Sequence, residues 1–361
     1  MTPTDDNSSF NIIIEMIENE RTITPISELG EFGLIDRLTH KIKLKNESTN
    51  LGVGDDAAVL DYKNQKIVVT TDLLTEGVHF NLMYVPLKHL GYKSVIVNLS
   101  DIVAMNATPK QITVSIAISS KFSVEAIEEL YEGIQGACDK YGVDLIGGDT
   151  TSSLTGLTIS ITAIGTANEE DLTFRSGAQL NDLICVTGDL GGAYMGLQLL
   201  ERENEVYKVN PKIHPQLAGY NYIIGRQLKP EPRLDMISVF KQLKIKPTSM
   251  IDISDGLSSE IKHICKASDK GVKIFEDKIP MDAETKAMGE ELNMNPLVAA
   301  LNGGEDYELL FTIPIADHDK IRNHPDITII GHITEASEGT KLVATGGTEI
   351  ELTAQGWNPL K

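Results

Sequence analysis

Several aspartates of this 361-residue chain sit where a solvated surface acid has no reason to be. Asp55 and Asp56 follow Gly52-Val53-Gly54, and Asp72 ends the strand-like run KIVVTT. Asp101 lies inside Val95–Met105, a segment otherwise almost wholly apolar, and Asp149 follows Leu145-Ile146-Gly147-Gly148. Asp252 and Asp255 bracket Ser254, with Gly256 next. A carboxylate near a core is costly unless it is paired or coordinated. Acids at the C-terminal ends of strands lie where α/β folds bind ligands. Taken singly, Asp55 or Asp255 reads as a helix N-cap, and Asp72 or Asp149 as a turn former beside glycine. Asp101 has no such explanation. Together they describe a hard-cation site, and oxygen donors without a His or Cys cluster favour Mg²⁺ over zinc.

Other common chemistries lack their signatures. No G-x-x-x-x-G-K-[ST] occurs, so a P-loop is excluded. Gly52-Val53-Gly54-Asp55-Asp56-Ala57 fits the relaxed dinucleotide pattern, but it precedes a strand and would aim two aspartates at a pyrophosphate. No nucleophile elbow or Ser/His/Asp set stands out. Phosphoryl transfer fits what remains, because it needs positioning and charge neutralisation more than covalent help. A phosphate nucleophile is already anionic, which accounts for the lack of an obvious general base.

The elements that must carry these residues alternate between strand and helix. Lys66–Thr71, Gln111–Ile118, Val143–Ile146 and Leu157–Gly165 read as strands of a first block, with helices over Pro86–Met105 and from the Ser123 cap to Tyr141. The first helix is apolar on most faces and is expected to be buried. Helices over Phe10–Glu20 and Leu34–Ile42 precede this block. A second block holds strands at Leu183–Thr187, Ser249–Ile253, within Tyr307–Ile313 and at Ile327–Ile330. Its helices fall near Ala218–Leu228, Arg233–Leu243 and Leu257–Ser268, and polar Tyr207–Pro215 reads as a surface excursion.

Composition bounds the function further. The chain is 41% hydrophobic and carries 32 Lys+Arg against 52 Asp+Glu, a net charge of −20. So acidic a protein lacks the footprint of a nucleic-acid binder and would be repelled by an anionic membrane. Most of its acids form a solubilising surface. No run approaches the roughly 18 apolar residues of a membrane span. The opening MTPTDDNSSF has no signal-peptide character. The scattered Cys138, Cys185 and Cys265 suit a reducing compartment. The expectation is a cytoplasmic enzyme.

The strings GVGDDAAVL, TTDLLTEGVHF, VIVNLSDIVAMNATP, LIGGDTT, RSGA, PEPRLD, IDISDGLSSEI and LNGGEDYELLFTIP occur in that order. Each is common alone; as an ordered set, from about Glu28 to Trp357, they resemble the thiamine-monophosphate kinase family. That family belongs to the PurM-like (aminoimidazole ribonucleotide synthetase-like) superfamily. The resemblance implies a two-domain α/β (α+β) PurM-like fold. An N-terminal extension would span 1–27, an ATP/Mg-binding and dimerisation domain 28–167, and a C-terminal α/β domain 168–361. It implies a homodimer that converts thiamine monophosphate and ATP to thiamine diphosphate and ADP by in-line transfer with several Mg²⁺. By motif, Asp56, Thr70, Thr71, Asp72, Asp101, Asp149, Asp252 and Asp255 resemble the metal ligands. Tyr131, Gly148, Asp149, Arg175 and Ser254 resemble the nucleotide site, and His79, Glu305 and Trp357 the contacts to the thiamine part.

The chemistry of these types agrees. Arg175 suits a phosphate clamp in an acidic protein, and Trp357, the one tryptophan, suits stacking on a cationic ring. Taken alone, Arg175 also reads as a surface arginine, His79 as a structural hydrogen bonder, and Trp357 as a cover for apolar surface. The rival enzymes are other members of the superfamily. A selenophosphate synthetase calls for a reactive Cys near the N-terminus, and a carbamoyl dehydratase for a Cys-bearing tail; neither is found. An amide-activating synthetase is the remaining enzymatic alternative, and a non-catalytic Mg–nucleotide sensor the non-enzymatic one.

Overall fold

The computed structural model describes residues 65–353 continuously, and before them 37–51, 59–60 and the single positions 24, 28, 34 and 62. Phe10–Glu20, Asp55, Asp56 and Trp357 lie outside the described residues.

A short antiparallel pair, β1 (Thr49–Leu51) and β2 (Val59–Leu60), precedes the first layer. That layer is a sheet of β3 (Lys66–Thr75), β4 (Thr108–Ile118), β5 (Asp144–Ser152) and β6 (Thr158–Ala167) in the order β3-β6-β4-β5. Only β4 and β5 are parallel, and α2 (Val124–Tyr141) makes the crossover between them. α1 (Leu87–Ala104) links β3 to β4. Ser123 caps α2 by accepting the Ala126 N–H at 3.2 Å, and Gly142 ends it with φ 65°. Both helices lie on one sheet face, where Ile96, Leu99, Ile112, Ile127, Leu130, Ile134 and Ile161 share a core. They meet backbone to backbone. A Cβ on Gly91 would stand 1.9 Å from the Leu130 carbonyl oxygen, and one on Gly133 would stand 1.9 Å from that of Lys88.

The second layer is a seven-stranded sheet, in the order β13-β12-β9-β11-β7-β10-β8. Its strands are β7 (Leu183–Thr187), β8 (Ser249–Asp252), β9 (Gly271–Phe275), β10 (Leu309–Ile313), β11 (Ile327–Thr334), β12 (Thr340–Val343) and β13 (Glu349–Glu351). Helices α3 (Gly192–Val209), α4 (Asn221–Leu228) and α5 (Asp235–Leu243) follow β7. α6 (Leu257–Ser268), α7 (Ala283–Glu291), α8 (Pro296–Asn302) and α9 (His318–Ile321) complete it.

Three differences from the sequence reading have physical causes. β3 runs on to Thr75 and β5 to Ser152, because their ladders with β6 and β4 continue past the hydrophobic runs. α3 continues to Val209, into the segment read as an excursion. Its Leu199 and Leu200 are buried, whereas exposed polar residues on its other side weaken the periodicity. β9, β12 and β13 are short and mixed in composition; pairing with partners distant in sequence defines β9 and β12, and β13 follows as the local hairpin partner of β12.

α1 is the hinge of the architecture. Fourteen of its residues are buried, as its apolar sequence requires. One side packs on the first sheet and α2, while Val103 and Ala104 join Met250 and Phe311 of the second. α1 thus packs on the edge strand β8, whose open side is paired instead by the Phe174 carbonyl, which accepts the Met250 N–H at 2.9 Å. Among the described residues no helix is long and apolar enough to cross a membrane.

Candidate active site

The seam between the layers gathers the acids. Strand alternation turns Thr70 and Asp72 toward α1, and Thr71 and Leu73 to the opposite face. Thr70 Oγ1 donates to Asp101 Oδ2 at 2.6 Å, and the Asp72 N–H donates to Asn98 Oδ1 at 3.0 Å. From the second layer, Asp252 at the end of β8 accepts Ser100 Oγ at 2.6 Å. Asn98, Ser100 and Asp101 therefore direct one stretch of α1 at both sheets.

These carboxyls disfavour their own ionisation. Burial, reinforced by the charge of Asp101, pushes Asp72 up to about 6. Asp252 is pushed up to about 7, first by burial, then by Asp101, against the pull of the Ser100 bond. Burial also raises Asp101, offset by the Thr70 bond and by the Arg175 guanidinium. No lysine or arginine ion pair neutralises Asp72, Asp101 or Asp252 among the described residues. Nor do three acid, His or Cys side chains there gather tightly enough to hold a metal ion by themselves.

A second loop pair closes the seam from the C-terminal layer. Asp255 N–H donates to Glu260 Oε1 at 2.9 Å, and Ser254 Oγ reaches the same oxygen at 3.4 Å. Glu260 is buried, has one unpaired oxygen and is pushed up to about 8, chiefly by burial. Burial raises Asp255 as well. Gly256 adopts φ 110°, and a Cβ there would stand 2.8 Å from Asn302 Cα. The loop after α8 lies against this turn: Glu305 N–H donates to Ser254 O at 2.7 Å, and Tyr307 N–H to Ile253 O at 2.9 Å. Glu305 and Tyr307 are held at φ 60° and 52°, a region costly for residues other than glycine. Such strain persists only where the surroundings enforce it.

Other expected residues lie apart. Gly148 and Asp149 are on β5, the far edge, three inter-strand steps or ~14 Å from β3. Asp149 registers with Ser115, Ser115 with Ser160 and Ser160 with Leu73, so it shares the face opposite Asp72. Gly148 is required there, since a Cβ would stand 1.8 Å from Val114 O. Thr71 is on that face too, bonded to Ile161 O and Thr162 Oγ1. Tyr131 is buried in the core of the first layer, its hydroxyl pushed up to about 12 by burial. Arg175 is exposed but near enough to Asp101 to stabilise its charge. His79 is exposed after β3, its Nδ1 accepting the Thr75 N–H at 3.0 Å.

The sequence reading missed Lys93, Asn98, Ser100, Gln227 and Glu260. Lys93 and Ser100 carried a signal, as polar side chains in a helix that leaves them no solvent. Gln227 and Glu260 had none, because their burial depends on how distant loops fold.

Two packed layers with an acid-lined seam define the class. The description "AIR synthase related protein, N-terminal domain" matches residues 54–167, which include the whole first sheet. Over 334 residues the chain is 36% identical to thiamine-monophosphate kinase of Aquifex aeolicus, covering 92% of this chain and 98% of that protein. It is 34% identical to the Bacillus subtilis enzyme of the same name over 344 residues, covering 92% and 100%. The solved complex of AaThiL with AMPPCP and TMP superposes with a TM-score of 0.71 at 33% identity, covering 94% of this chain and 99% of that one. The chain belongs to the thiamine-monophosphate kinase family, a family of phosphotransferases.

Proposed function

We propose that the chain transfers the γ-phosphoryl group of ATP to the phosphate of thiamine monophosphate, giving thiamine diphosphate and ADP. The observation that carries this reading is the convergence of Asp72, Asp101 and Asp252 on one seam with no ion-pair partner among the described residues. Like charges gathered this way, with Asp252 buried and Asp72 and Asp101 half-buried, are stabilised by protonation or by a cation that joins them. The donors are all oxygen and fit Mg²⁺. Asp72, Asp101, Asp252 and the Thr70 hydroxyl would hold it from this seam, and Asp255 from the adjoining turn. Asp56 is the remaining proposed ligand from the first half of the chain, while Thr71 and Asp149, on the opposite sheet face, would ligate a separate cation there. Bound there, Mg²⁺ supplies neutralisation of the phosphate charge that builds up during transfer.

The chain's own residues orient the reactants. Arg175 clamps a phosphate, and Ser254 joins it in the nucleotide site. Gly148 and Asp149 on the far edge strand and core-buried Tyr131 are proposed for that site by motif and lie apart from it within one protomer. His79, Glu305 and Trp357 contact the thiamine part. No general base is required, because the attacking phosphate oxygen is already anionic. A homodimer fits the same reading. Ile67, Val69 and Leu73 leave an apolar stripe 53%, 61% and 56% exposed on the sheet face opposite the helices. A second copy on that face would cover the stripe and meet the Thr71 and Asp149 side. We read 28–167 as the nucleotide and dimerisation domain, 168–361 as its partner domain, and the enzyme as cytoplasmic.

The test is a chromatographic product assay with ATP, Mg²⁺ and thiamine monophosphate, with EDTA and unphosphorylated thiamine as controls. Thiamine diphosphate and ADP in equal amounts, abolished by EDTA, are expected. Protein that binds ATP and Mg²⁺ but makes no thiamine diphosphate would overturn the proposal in favour of amide activation or a sensor.

A further inference from the structure

α1 contains a second misplaced charge besides Asp101. Lys93 is buried at 6% exposure in the middle of a helix packed on three sides. Its ammonium crosses between the layers: Nζ lies 2.9 Å from Glu305 Oε1 and donates to the Gln227 carbonyl at 3.0 Å. Gln227 Nε2, on α4, donates to the other carboxylate oxygen of Glu305 at 2.9 Å. Both oxygens of Glu305 are thus tied from one side, by one residue of each layer. The Glu305 side chain is still 31% exposed. A carboxylate has about four acceptor positions, so roughly two remain open toward the seam.

Packing alone does not explain a lysine here. A methionine of similar length would fill the space without the cost of burying a charge. What the ammonium adds is a fixed direction and a compensated charge for Glu305, whose backbone is already held at φ 60° by its bond to Ser254 O. A carboxylate so fixed presents its free lone pairs to a ligand with no rotamer entropy left to lose. The ligand chemistry that matches it is a nitrogen donor, such as the exocyclic amine of an aminopyrimidine, beside a cationic ring. Tyr84 adds an aromatic side chain within electrostatic range of Glu305.

We propose that Lys93 is a positioning residue for the organic part of the substrate, acting through Glu305 with Gln227 as second tether. This rests on the proposed function, which names that substrate. The role predicts a split between the two substrates that an inter-layer staple does not. In Lys93→Met, KM for thiamine monophosphate should rise about tenfold or more, the loss expected for one mis-set charged hydrogen bond. KM for ATP should stay within about twofold. Lys93→Arg should recover most of the loss, and Glu305→Gln in the Lys93→Met background should add little, because the two act as one unit. If Lys93→Met does not fold, Lys93→Gln keeps the polarity and serves the same assay.

An active wild type whose Lys93 variants raise both KM values alike, or lose only thermal stability, would overturn the positioning role. A folded wild type that makes no thiamine diphosphate overturns the proposed function first, and the two failures are distinct.

Discussion

Two regions of the molecule bury acids, and they treat them in opposite ways. Behind the seam, Asp306 and Glu308 are buried with the arginines that neutralise them. Arg226 Nη1 lies 2.7 Å from Glu308 Oε1, and Arg233 Nη1 lies 2.8 Å from Oε2. Thr187 Oγ1 adds a bond to Glu308 at 2.6 Å, and Asp306 accepts the Gly191 N–H at 2.7 Å near the start of α3. In the seam, the Asp101 and Asp252 carboxylates accept the Thr70 and Ser100 hydroxyls, Asn98 binds the Asp72 backbone N–H and not its carboxylate, and Arg175 acts only at a distance. A compensated network holds loops and helices together. An uncompensated one stores repulsion that a cation can release. The difference separates structure from function more surely than burial does.

The comparison breaks most sharply by exchanging charge on each side. Asp101→Asn or Asp252→Asn should lower turnover by on the order of 10²–10³-fold, the scale of losing one electrostatic stabiliser of a transition state. The thermal midpoint of the metal-free protein should hold or rise, because a repulsive charge is gone. A large fall in the midpoint would show that these acids hold the fold. Arg226→Met should behave in reverse, costing roughly 3–5 kcal/mol in urea unfolding by leaving Asp306 and Glu308 uncompensated. Gly91→Ala, outside both regions, should cost roughly 1–3 kcal/mol by forcing α1 from α2, and an unchanged midpoint would refute the backbone contact.

The smallest effect is one of pH. Asp72 and Asp252 stand at about 6 and about 7 in the folded protein, above the ordinary 3.8. The folded metal-free protein therefore keeps protons that the unfolded chain loses above pH ~4. Their contribution to stability is present at the acid end and is lost as pH rises through about 6 to 7. Mg²⁺ needs the ionised forms, so its apparent affinity should rise over the same window and level off above it. A flat profile from pH 5 to 8 would contradict the shared titration.

Much of this was legible in the sequence, for reasons the residues make plain. Asp101 in an apolar helix could only be an acid drawn away from bulk solvent, and it is half-buried; Ser123 marked the start of α2 by cap chemistry alone. The face on which each acid lies was not legible. Asp149 and Asp72 each follow a hydrophobic run, yet the order β3-β6-β4-β5 and the pairing register set them on opposite faces at opposite edges. Nor was the tether of Glu305 legible, because it joins residues 212 positions apart through the packing of both layers. Local chemistry is written locally; convergence depends on topology.

The most direct test of the central claim is calorimetric titration of Mg²⁺ into the nucleotide-free protein at pH 8, wild type against Asp101→Asn. The account predicts saturable binding by the wild type and its loss, or a weakening of about tenfold or more, in the variant. Equal Mg²⁺ affinity in the two proteins would contradict it, and would return Asp72, Asp101 and Asp252 to the class of buried acids that serve the fold alone.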